Sequence, residues 1–158
     1  MLYKIEDNEV FDEYSKVNRI KLGSGHMVYV SCNDNPYLSV EIDGFSFFND
    51  AVIFSDYLIL GNYTNGVYII DLEKFEVQRV AIEGYFGYFE LTDDILYVLG
   101  CSNILAFDRN LQLIWKSGDI AVDGITLKKI ENGIITVNCE IDPPGGWIQR
   151  KIRIDETR

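Results

Sequence analysis

Apolar residues in this chain fall in short runs, alternating with polar ones or clustered as β-branched and aromatic blocks, and that pattern predicts strands rather than helices. The runs are Met27 to Ser31, Tyr37 to Ile42, Tyr57 to Gly61, Val67 to Leu72, Phe75 to Ile82, Ile95 to Gly100, Ile104 to Phe107, Leu111 to Lys116, Ile134 to Ile141 and Trp147 to Ile154. Such residues suit a pleated surface that is at least half buried. Between the runs stand Asp43-Gly44, Asn65-Gly66, Asp123-Gly124 and Asn132-Gly133. Each pair tolerates the positive φ angles of a type I′ hairpin turn. The charged residues within Phe75 to Ile82 fit an exposed edge. Only the N-terminal stretch competes for a helix, because Val10, Phe11, Tyr14 and Val17 share one helical face behind a possible cap at Asp7 or Asn8.

The runs also repeat. Asp56-Tyr57-Leu58-Ile59-Leu60-Gly61, followed by Val67-Tyr68-Ile69-Ile70-Asp71, overlays Asp94-Ile95-Leu96-Tyr97-Val98-Leu99-Gly100 and Ile104-Leu105-Ala106-Phe107-Asp108. Gly61 and Gly100 are 39 residues apart, and Asp71 and Asp108 are 37 apart. A weaker third copy begins at Asn132-Gly133-Ile134, 38 residues after Asp94. A period near 40 residues accommodates four short antiparallel strands, the size of one propeller blade. The order of apolar strand, turn, apolar strand ending in Asp, then polar outer strand resembles the repeats of quinoprotein-type β-propellers. Leu105 to Trp115 carries this best. The resemblance implies an all-β fold of antiparallel meanders, three to four blades in a closed or open array, within a single domain over 1–158. A two-sheet β-sandwich is the alternative.

Composition agrees with a folded chain: 158 residues are 47% hydrophobic and 25% charged, and a chain of this length buries about 70% of its unfolded surface. No apolar run approaches the roughly 20 residues that span a bilayer, and the start from Met1 to Glu9 is too acidic for a signal peptide. The expected compartment is the cytoplasm. Cys32, Cys101 and Cys139 make an odd count without CxxC spacing, which argues for small buried thiols over a disulfide framework or zinc site. His26 is the only histidine, so a Ser-His-Asp or Cys-His set has to include it, and nothing around it supports one. Asn33-Asp34-Asn35 lacks the later Gly and Glu of a calcium loop and reads as a turn before Pro36. Gly23-Ser24-Gly25 lacks the Gly-Lys-Ser/Thr ending of a phosphate loop. Asp93-Asp94, or Glu41 with Asp43, offers the paired carboxylates of glycoside hydrolysis, yet adjacent acids fit a hairpin turn more simply. The expectation is a protein that is no enzyme and uses no metal or cofactor.

Charge points to a partner. Fourteen Lys and Arg against 25 Asp and Glu leave a net −11, which repels nucleic acid. Residues 1–100 hold 17 acids and 6 bases, whereas 101–158 hold 8 of each. Such a field steers a basic protein. The candidate contacts are Asp34, Glu41, Asp43, Asp50, Asp56, Glu90, Asp93 and Asp94, with Tyr63, Tyr85 and Tyr88 as aromatic anchors. Tyr85-Phe86-Gly87-Tyr88-Phe89 and Phe45-Ser46-Phe47-Phe48 place aromatics on both strand faces. Packing between adjacent blades is the competing use of those rings. Finally, Asp142-Pro143-Pro144-Gly145-Gly146-Trp147 and the strand after it resemble the terminal hairpin of small bacterial proteins that accompany polymorphic secreted toxins. That resemblance implies an immunity protein that neutralises a basic toxin, such as a nuclease, without membrane or nucleic-acid contact. A propeller-like interaction scaffold or regulatory module is the second reading. An enzyme or small-ligand binder using a central channel is the third.

Overall fold

The structure, a computed structural model, describes residues 1–6, 13–44, 49–63 and 66–154. Apart from a 3₁₀ turn at Glu13 and Tyr14, regular structure among them is β, arranged in four open sheets. The chain divides into two compact units, Met1–Arg79 and Val80–Arg158.

In the first unit, β1 (Tyr3–Glu6), β2 (Asn18–Lys21), β3 (Gly25–Cys32) and β4 (Asn35–Asp43) form a sheet ordered β1-β3-β4-β2. The hairpin joining β3 and β4 turns on Asn33 and Asp34, both at positive φ (49° and 64°), so the predicted turn before Pro36 is a two-residue type I′ link. The second sheet is a meander of β5 (Asn49–Phe54), β6 (Tyr57–Asn62), β7 (Gly66–Asp71) and β8 (Val77–Val80), whose last strand ends at the unit boundary. Alternation buries Val28, Val30, Leu38 and Val40 of the first sheet against Leu58, Leu60, Ile70 and Leu72 of the second. That shared interior is the core of the unit.

The second unit repeats the plan. A meander of β9 (Phe86–Leu91), β10 (Leu96–Gly100), β11 (Ile104–Phe107) and β12 (Leu113–Lys116) packs with a three-stranded meander of β13 (Ile125–Glu131), β14 (Ile134–Asp142) and β15 (Gly146–Arg153). Tyr97, Leu99, Ile104 and Ala106 meet Ile125, Ile135, Val137 and Cys139 in its core. The predicted Asn132-Gly133 turn is type I′, with φ 51° and 71°. The Pro- and Gly-bearing loop does close the β14–β15 hairpin.

The sequence repeat coincides with the two buried central strands of each meander, β6–β7 and β10–β11. Its terminal aspartates organise the turn that follows. Asp71 Oδ1 accepts from the backbone N–H groups of Glu73 and Lys74, both at 2.9 Å. Asp108 Oδ1 accepts from those of Asn110 and Gln112, also at 2.9 Å. Each turn then carries a large residue at φ 59°, Phe75 in one copy and Leu111 in the other. Left-handed backbone costs a non-glycine residue about 1 kcal/mol or more, and the carboxylate bonds offset it. Asp108→Ala is therefore expected to destabilise by about 1–2 kcal/mol, whereas Asp108→Asn, which keeps the acceptor, recovers most of that. Chemical denaturation of the three proteins checks it.

Three expectations change. The first sheet is not an antiparallel meander, because β2 runs parallel to β4, Asn18 beside Leu38 through Lys21 beside Glu41. Ile20 joins the core there, and Arg19 reaches the Glu41 carboxylate, which fixes this short polar strand at the edge. Asp43-Gly44 and Asp123-Gly124 are not hairpin turns. Gly44 N–H donates to Ser24 O and so extends the β3–β4 pairing. A Cβ on Gly44 would lie 2.9 Å from the Gly25 carbonyl carbon, so the pairing depends on having none. Asp123-Gly124 leads into β13, with Val122 N–H on Glu140 O and Glu140 N–H on Gly124 O. Asn65, Phe45 to Phe48 and most of the proposed helix, Asp7 to Asp12, lie outside the described residues; Glu13 and Tyr14 occupy a 3₁₀ turn that leads toward β2. Among the described residues no helix is long and apolar enough to cross a membrane.

Candidate functional site

The hairpin registers sort the first unit's candidate residues by the end of the sheets they occupy. At one end, Asp43 closes β4 while Asp50 and Tyr63 flank the pairing of Asn49 with Asn62. Buried Asn62 ties this end together, its Nδ2 donating to Asp43 O (3.1 Å) and Asn49 Oδ1 (2.8 Å). These carboxylates serve the fold. Asp43 Oδ1 accepts from Ser24 N–H at 3.2 Å, and Asp50 Oδ1 from Ala51 N–H at 2.9 Å. Glu41, two residues earlier, faces Arg19, whose guanidinium holds its carboxyl below the usual carboxylate range.

Asp34 lies about 30 Å away along β4, given about 3.3 Å per residue. It is exposed and ion-paired with Lys4 at 2.9 Å. This second end also holds Asp56, because Leu72 N–H donates to Asp56 O at 3.0 Å while Tyr37 O–H donates to Leu72 O at 2.5 Å. The Asp71 turn completes it with exposed Glu73, Lys74 and Glu76. Tyr57, Ile69, Asp71, Lys74, Glu76, Val77 and Gln78 line a shallow concavity of about 310 Å³ here. Five acids (Asp34, Asp56, Asp71, Glu73, Glu76) thus meet two lysines (Lys4, Lys74). In the sequence Asp71 stood out only as a repeat residue, and Glu73 and Glu76 only as part of the net charge. The signal that could have found them was the repeat aspartate itself, which marks a turn exposing the residues behind it.

Tyr3 occupies the same end, its ring 5.5 Å from that of Tyr37. Burial first, then the neighbouring Tyr37, Cys32 and Asp56, push its phenol from 10.0 to about 12. A raised folded-state pKa means that Tyr3 stabilises fully below pH 10 and loses that contribution as pH climbs toward 12. Tyr3→Phe is expected to flatten the alkaline decline of stability in this window, read by thermal melting at stepped pH.

In the second unit, Asp93 and Asp94 form the exposed β9–β10 turn, as expected. Both engage Arg109: Nε donates to Asp94 Oδ1 at 2.8 Å, and Nη2 donates to Asp93 O at 2.6 Å. Glu90 sits on β9 opposite Tyr97. Tyr85 and Tyr88 hold the unit's two sheets together. The Tyr85 hydroxyl reaches Asp123 O (2.8 Å) and Oδ1 (2.5 Å), and that of Tyr88 accepts from Leu127 N–H. Burial raises the Tyr88 phenol above its ordinary value. Beside them in the chain, Phe86 and Phe89 are buried with ring centroids 4.7 Å apart. Tyr85 and Tyr88 thus serve sheet-to-sheet contacts.

Cys101 and Cys139 are buried, Cys32 is half-buried, and all three are free thiols; burial pushes the Cys139 thiol up. His26 sits on β3 opposite Ile42. Among the described residues no group of three or more His, Cys, Asp and Glu converges to hold a metal ion. Compared with known proteins, the chain matches no family model and no curated protein sequence.

Proposed function

We propose that this chain is a non-enzymatic protein-binding protein of the immunity type, which neutralises a basic toxin domain by covering it with the acidic end of its first unit. The observation that carries the reading is the placement of exposed Asp56, Glu73 and Glu76 around one sheet end, with Tyr57 in the concavity beside them. Carboxylates on turns reach a partner with little loss of backbone order, and their summed field accelerates encounter with a cationic surface. An aromatic floor under charged turns provides the apolar contact that retains the partner after encounter. Neutralisation by coverage requires no catalytic group of its own.

Tagged full-length chain recovered from its own cells is the direct test. The expected result is one basic protein retained at low salt, released as salt rises, whose toxicity on expression is suppressed by co-expressing this chain. Recovery of a neutral or acidic complex whose retention ignores salt would overturn the reading in favour of an interaction scaffold.

A further inference from the structure

The last strand of the second unit presents a different surface. In the two four-stranded meanders the third strand carries a fourth, β8 on β7 and β12 on β11, and each of those outer strands has four residues. Among the described residues the sheet ordered β13-β14-β15 stops at its third strand. β15 is eight residues long, contains no proline, pairs along one side with β14 and is exposed over Trp147 to Lys151. Long unpaired edges of this kind display a row of free N–H and C=O groups that a further strand can satisfy.

Its side chains specify what that strand would be. Arg150, Lys151 and Arg153 stand on β15 without an acidic residue in the strand, and Lys128 and Lys129 lie on β13 of the same sheet. Lys129 pairs with Glu131, whereas Arg150, Lys151 and Arg153 have no carboxylate partner among the described residues. Pairing with Asn138 and Thr136 places Gln149 and Lys151 on one face, with Trp147 and Arg153 in the same alternation; Ile148, Arg150 and Ile152 take the other. Each face therefore combines an apolar group with a cation. A second copy of β15 laid antiparallel on the first would set these cations against one another, which is destabilising for directly opposed residues.

We propose that the free edge of β15 accepts an extended acidic segment of a partner protein as a fourth strand. Acids alternate with apolar residues in that segment, so that its acids share the face of Lys151 and Arg153 and its apolar residues share the face of Ile148 and Ile152. This surface is distinct from the acidic end of the first unit, carries the opposite charge and stands independently of the basic-partner reading.

Hydrogen exchange of the full chain with three synthetic decapeptides tests it: alternating Glu-Val, alternating Lys-Val, and the Glu-Val peptide N-methylated at every second residue. The Glu-Val peptide is expected to slow exchange of β15 amides, Lys-Val to leave them unchanged, and N-methylation to abolish protection by removing the main-chain bonds. Lys151→Glu with Arg153→Glu is expected to weaken the Glu-Val peptide about tenfold. Both positions are exposed, and thermal melting of the variant verifies its fold. The proposal is overturned by absent β15 protection at millimolar Glu-Val peptide, by undiminished binding of the N-methylated peptide, or by β15 protection that grows with protein concentration alone.

Discussion

Replacing Asp56, Glu73 and Glu76 by lysine is expected to slow association with a basic partner by about 100-fold at low ionic strength, since steering separates rates near 10⁸ from unsteered rates near 10⁶ M⁻¹s⁻¹. The three substitutions change the charge of one sheet end by six, and all three side chains are exposed. At high salt the Debye length falls to about 3 Å at 1 M, so wild type and variant should converge. Asp93→Lys with Asp94→Lys is the informative comparison. Those residues already share Arg109, and reversing them should leave the encounter rate within a few-fold of wild type if the first unit is the binding face. Stopped-flow association over a salt series distinguishes the pairs. A similar loss for both would place the interaction in the net charge of the molecule rather than in this sheet end.

The second large effect lies in the core. Leu60 stands in the middle of β6, is fully buried at 0% exposure, and packs in the cluster that joins the first unit's two sheets. Leu60→Ala removes three methyl or methylene-sized groups from a site with strands on both sides, which limits collapse around the gap. The expected cost is about 3 kcal/mol, within the range of about 2–5 for such truncations, and the melting temperature should fall by about 10 °C or more. Leu113, 53% exposed at the start of β12, provides the contrast. Leu113→Ala should stay within about 0.5 kcal/mol of wild type. Denaturant unfolding of both variants measures the difference, and equal losses would mean that the β12 residue is packed.

Every apolar run recognised in the sequence overlaps a strand, and in the central strands β6, β7, β10 and β11 burial on both faces leaves a continuous apolar signature. The missed strands failed for local reasons. β2 (Asn18–Lys21) has one apolar residue in four, and β1 (Tyr3–Glu6) is equally short. β5 opens on Asn49-Asp50. In β13 the register shifts between Leu127 and Lys129, which breaks alternation at Lys128-Lys129. The repeat was legible because Asp71 and Asp108 perform the same turn chemistry in both meanders. The spacing difference between copies falls in links: Gly61 to Asp71 is two residues longer than Gly100 to Asp108.

The candidate site was less legible. Charge counting located an acid-rich segment, yet Asp34 and Asp43, nine positions apart, stand at opposite ends of one strand. Asp56 and Glu73, 17 positions apart, share an end through Leu72. Two of the tyrosines read as anchors, Tyr85 and Tyr88, close gaps between sheets, a use that depends on which sheet lies opposite.

By itself the sequence determined the strand character of the chain, its near-40-residue repeat, the type I′ turn at Asn132-Gly133, the closing hairpin around Pro143-Pro144, and the excess of negative charge. All of these follow from properties local to a few residues: alternation of burial, tolerance of positive φ, and ionisation. Only the tertiary structure decided that β2 runs parallel to β4, that Glu41 is held by Arg19, that Asp56 joins the Asp71 turn, and that β15 has no strand beyond it among the described residues. Alternation assigns a side chain to a face of its strand; which strand lies beside it is set by burial of whole faces against each other, through contacts that no local pattern encodes.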